Sequence, residues 1–73
     1  MQCDERDPRL SPQKGDAVRG RTGTVRTVLD VWQHSSGKLF VNFRPHRNGV
    51  THKRRNNEIA EWQRWCVANV AAP

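Results

Sequence analysis

A chain of 73 residues makes one domain with a small core, since about 60% of the unfolded surface is buried at this size, and it excludes an elaborate enclosed active site. Thirteen Lys or Arg against seven Asp or Glu give a formal charge of +6, and ten of the thirteen cations are Arg, which selects anionic partners. No apolar run reaches the roughly 18 residues that span a bilayer, and the first residues carry no signal-peptide pattern, so a cytoplasmic protein away from membranes is expected.

Apolar residues make up 34% of the chain and the mean hydropathy is −0.93, but three Trp and two Phe sit among Val, Leu and Ile in clusters that mark a folded unit. The charge is uneven. Asp4, Glu5 and Asp7 lie in the first stretch, leaving twelve cations and four anions in residues 8 to 73. Two cysteines, Cys3 and Cys66, are too few for a disulfide framework and read as free thiols.

Residues 1–13 hold Pro8, Pro12, mixed charges and one large aliphatic side chain, Leu10, and lack a periodic apolar face; this predicts a flexible N-terminal arm. The folded domain is expected over 14–73. Lys14-Gly15-Asp16 reads as a turn into Ala17-Val18-Arg19, and Gly20 and Gly23 bracket a tight connection. Thr24 to Gln33 then reads as the strongest strand, with Val25, Leu29 and Val31 on one parity and Arg26, Val28 and Trp32 on the other. His34-Ser35-Ser36-Gly37 supplies a turn, and Lys38 to Arg44 follows with Leu39, Val41 and Phe43 facing one way, which completes a β-hairpin. Pro45 is expected to end that strand and open a loop to about Thr51, with Asn48-Gly49 tipping a second hairpin if Val50-Thr51-His52 restarts a strand. A helix is expected from about 57 to 70, capped by Asn56 or Asn57, because Ile59, Trp62, Cys66 and Val70 recur at helical spacing. A rival reading makes Glu58 to Trp62 a last short strand.

The string KGDAVRGRTGTVRTV at 14–28 resembles the KOW motif, with Lys14, Gly15, Asp16, Val18, Gly23, Val25 and Val28 at the matching positions. The resemblance implies an SH3-like small β-barrel, here mostly β with a C-terminal helix, of the kind found in ribosomal proteins, transcription elongation factors and Tudor-like domains. Fold resemblance does not by itself name a partner.

The sharpest functional feature is the acid-free stretch from Arg44 to Arg55, with Arg44, Arg47, Lys53, Arg54 and Arg55 joined by His46 and His52. Together with Arg19, Arg21 and Arg26 it makes a candidate phosphate-binding set for RNA or DNA with little sequence preference, against the plain alternative of a solvated basic loop. If the hairpin valines point inward, Trp32 and Phe40 share an outer face with Arg26 and Arg44 and are candidate base-stacking residues, unless the helix covers them. Trp62 and Trp65, one helical turn apart, are either core or an anchor for a protein partner. No Ser-His-Asp or Cys-His arrangement and no zinc spacing occurs, so no catalysis, metal, cofactor or small-molecule substrate is expected. The expectation is a non-catalytic nucleic-acid-binding module; the alternative is a protein-interaction adaptor or inhibitor, for example an accessory protein of a phage or plasmid acting on a host complex.

Overall fold

The long hairpin organises the molecule: Val-rich β2 (Val25–Gln33) turns through His34 to Lys38 into β3 (Leu39–Arg47), and the turn is closed by the His34 N–H donating to the Lys38 carbonyl at 2.7 Å. The computed structural model describes residues 6–71. Short β1 (Ala17–Arg19) pairs with β2, while β4 (Val50–Thr51) and β5 (Arg55–Glu58) both pair with β3, all antiparallel. α1 (Ile59–Asn69) follows β5, so the architecture of the described residues is mostly β with one C-terminal helix. The sheet is not closed: no pairing among the described residues joins β1 to β4 or β5.

Alternation along β2 breaks at one residue. The pairing Val28↔Phe43 is followed by Asp30↔Asn42, so Leu29 is bulged and the inward phase shifts by one. The expected inward positions Val25 and Leu29 are therefore replaced by Arg26 and Val28, while Val31, Val41 and Phe43 keep their inward direction. Leu39 lies at the hairpin end and stays exposed. The core is Val18, Val28, Val41, Phe43, Trp62 and Cys66, with Val31, Ile59, Trp65 and Val70 packed on it, which places α1 across one face of the sheet.

Pro45 does not end β3. It pairs with Arg26 and falls between the stretch of β3 bonded to β5 (Phe40 to Phe43) and the stretch bonded to β4 (His46 and Arg47), where its missing N–H breaks no ladder. Asn48 and Gly49 both take positive φ, 52° and 77°, and tip the second hairpin as a mirror-type turn. The helix begins two residues later than its periodicity implies, because Asn56 and Asn57 pair with Asn42 and Val41 in β5. Glu58 is the N-cap instead, its N–H received by the Glu61 carboxylate at 3.2 Å.

The expectation of a free arm is corrected for residues 6–13; residues 1–5 lie outside the described part. Arg6 grips the Asp16 carboxylate, the Pro8 carbonyl accepts the Trp62 indole N–H at 3.0 Å, and Gln63 donates to the Leu10 carbonyl at 2.9 Å. Pro12 is buried. Polar anchoring holds the segment, which is why a search for apolar periodicity does not find it.

Candidate functional site

The strand register turns Arg26 inward, and its guanidinium, half-buried, lies against aromatic rings. Its carbon sits 3.7 Å over Trp65, 4.4 Å over Phe43 and 5.9 Å from Trp62. Gly20 lets Trp65 come this close to the β1–β2 turn, since a Cβ there would stand 3.0 Å from the indole edge. The cation–π contacts offset part of the desolvation, yet Nε and Nη1 of Arg26 are enclosed with no hydrogen-bond partner among the described residues. Burial lowers the Arg26 pKa; the nearby Cys66 opposes this shift and the like charge of Arg55 adds to it.

Arg26 opens onto a cleft of about 350 Å³ whose other cationic walls are Arg47 and Arg55, with His52 beside them. Strand pairing makes this meeting: Arg26 faces Pro45 across the sheet, Arg47 lies two residues further along β3, His52 donates its N–H to the Pro45 carbonyl at 2.9 Å, and Arg55 pairs with Phe43. Thr22 and Thr24 line it from the β1–β2 turn, and among the described residues no acidic side chain lines the cleft. A second cleft of about 370 Å³ adjoins it, with Arg47 shared between the two and Arg19 and His46 on its other walls. Arg47, Arg55 and His52 are exposed and Arg26 is half-buried, so the positive charge of the cleft faces solvent, where an anion would be attracted to it.

No family model, curated protein or solved structure matches the chain. The cleft is therefore read from its own chemistry. Of the sequence-predicted residues, Arg26, Arg47 and Arg55 meet in it, and Arg19 joins through the second cleft. Arg44 is exposed on the opposite face of the sheet, and Lys53 and Arg54 are exposed in and beside the β4–β5 connection. Arg21 is set apart: its Nη2 donates to the Ala68 carbonyl at 2.6 Å and its N–H to the Asn69 carbonyl at 2.7 Å, so it caps the C-terminus of α1.

The aromatic readings change as well. Trp62 is fully buried and is core, not a partner anchor, while Trp65 is the seat of Arg26 and half-buried. Trp32 and Phe40 are not covered by α1; they face away from it. His52 belongs to the basic stretch that the sequence marks, whereas the places of Thr22, Thr24 and Trp65 in the cleft carry no sequence signal, because only strand register and helix placement bring them together. Among the described residues, no three His, Cys, Asp or Glu side chains gather as a metal site, and no helix is long and apolar enough to cross a membrane.

Proposed function

We propose that this protein is a small non-catalytic module that binds nucleic acid through its phosphate backbone. The observation that carries the proposal is the convergence of Arg26, Arg47 and Arg55 on one acid-free cleft, continued by Arg19 in the next. Successive phosphates fit such a run of separated guanidiniums, and each one neutralised releases counterions. The KOW-like string at 14–28 bears on the fold of the module and leaves the partner to the charge. An SH3-like small barrel belongs to this proposal; here it would be an open form, with α1 packed on the side where β1 and β5 do not pair.

The test is a titration of labelled RNA and DNA followed by anisotropy, at low and near-physiological salt. Micromolar or tighter binding that falls steeply with salt is expected. Absence of binding at low salt would sink the reading and direct attention to acidic protein partners instead.

A further inference from the structure

The sheet face turned away from α1 carries an aromatic pair that the core does not use. Trp32 and Phe40 are cross-strand partners with ring centroids 4.9 Å apart and planes 16° from parallel. The indole N–H of Trp32 donates to the Asn56 side-chain carbonyl at 3.0 Å, which fixes the ring, and 37% of Trp32 remains exposed. His34 leans on both rings, at 6.1 Å and 6.0 Å. The pair is thus preformed, with Trp32 exposed and Phe40 partly so.

The same face leads from the aromatic pair toward positive charge. Along β3 it presents Phe40, then Asn42, whose Oδ1 is enclosed, then Arg44, which is exposed; among the described residues neither the Asn42 Oδ1 has a hydrogen-bond partner nor Arg44 an ion pair. Phe40 to Arg44 spans about 13 Å. Beyond Arg44 lie His46 and, across β2, Arg19, both walls of the second cleft. Two acids share the face: Glu58 stands 3.7 Å from Lys38, while Asp30 is exposed at the pairing step between Trp32 and Thr27.

We infer that this face is a track for single-stranded nucleic acid, with an unpaired base stacked on the Trp32–Phe40 pair and the following phosphates passing Arg44 and Arg19 to reach Arg47. The inference rests on the nucleic-acid reading and deepens it by naming the strand state. A base offers its π-face to a protein ring when it is unpaired, whereas a duplex presents mainly phosphates to a sheet of this kind. The cleft on the helix side supplies phosphate affinity to either form. The aromatic pair adds affinity only for the single strand.

The experiment compares labelled single-stranded RNA, single-stranded DNA and duplex DNA at one salt concentration. Wild-type protein is expected to favour a single strand, and its Trp emission to be quenched on binding. Trp32→Ala should lower single-strand affinity about tenfold and leave duplex affinity unchanged. Trp32→Phe, which keeps a ring, should restore most of the affinity while the quench shrinks. Asp30→Asn should raise single-strand affinity about twofold by removing the acid beside the track. Equal affinity for duplex and single strand, or a Trp32→Ala protein that binds both as wild type does, would overturn the track and leave the phosphate cleft standing. Loss of binding to every nucleic acid in the wild type would overturn both.

Discussion

Arg26 is an expensive residue to keep where it is. Two enclosed nitrogens without hydrogen-bond partners among the described residues carry a desolvation cost that stacking on Trp65 and Phe43 offsets in part, and a hydrophobic side chain of similar length avoids that cost. Arg26→Met is therefore expected to hold stability within about 1 kcal/mol of wild type, read from urea unfolding, while affinity for nucleic acid falls about tenfold. A loss of several kcal/mol would instead make Arg26 a structural residue. The arginine itself is plain in the sequence, but its inward direction is not: strict alternation from Val25 puts it outside, and one bulged residue, Leu29, reverses that.

At the scale of elements, hairpins were legible and their ends were not. The β2–β3 hairpin and the Asn48-Gly49 turn follow from local chemistry, β-branched runs and residues that accept positive φ. Pro45 and the Asn56-Asn57 pair mislead for a common reason, because their usual local roles, strand breaker and helix cap, are overridden by the pairing that β3 offers on each side. The docking of residues 6–13 carries no periodic signal because hydrogen bonds to Asp16, Pro8 and Leu10 and the single buried Pro12 hold it. The Arg6 hydrogen bond holds the Asp16 carboxyl below its ordinary pKa of 3.8. A carboxyl lowered in the folded state adds stability above its unfolded pKa and loses it as pH falls through the folded value. Asp16→Asn is thus expected to cost about 1 kcal/mol at neutral pH and nothing once the medium is acidic enough to protonate the native carboxyl, with urea midpoints of the two proteins converging. A constant gap at all pH values would show that the loss is one of shape, not of charge.

Across the whole molecule, cations divide into those that bind the protein to itself and those left for a partner. Arg6 and Arg9 pair with Asp16 and Asp7, and Arg21 caps α1. Arg19, Arg26, Arg44, Arg47 and Arg55 have no ion-pair partner among the described residues, and they border the two clefts and the uncovered sheet face. Arg47, shared by both clefts, is the test of this division. Arg47→Ala should weaken binding across all sequences and reduce the slope of log affinity against log salt by about one. Arg21→Ala should leave that slope unchanged and destabilise the fold by about 1 kcal/mol through the lost helix cap, measured by thermal unfolding. A reduced slope in Arg21→Ala would place it among the partner-binding cations.

Charge, size and the hairpin pattern are properties of the chain itself: the excess of Arg, the small core and the β-rich class with a C-terminal helix all follow from residue types and short-range spacing. Which arginines stand together belongs to the tertiary structure alone. Arg26, Arg47, Arg55 and Trp65 come from separate elements, and they meet because a bulge resets one strand, a proline fits between two ladders and a helix lays its indole over the sheet. Local propensity acts over a few residues, whereas register and packing are set by contacts across the whole fold.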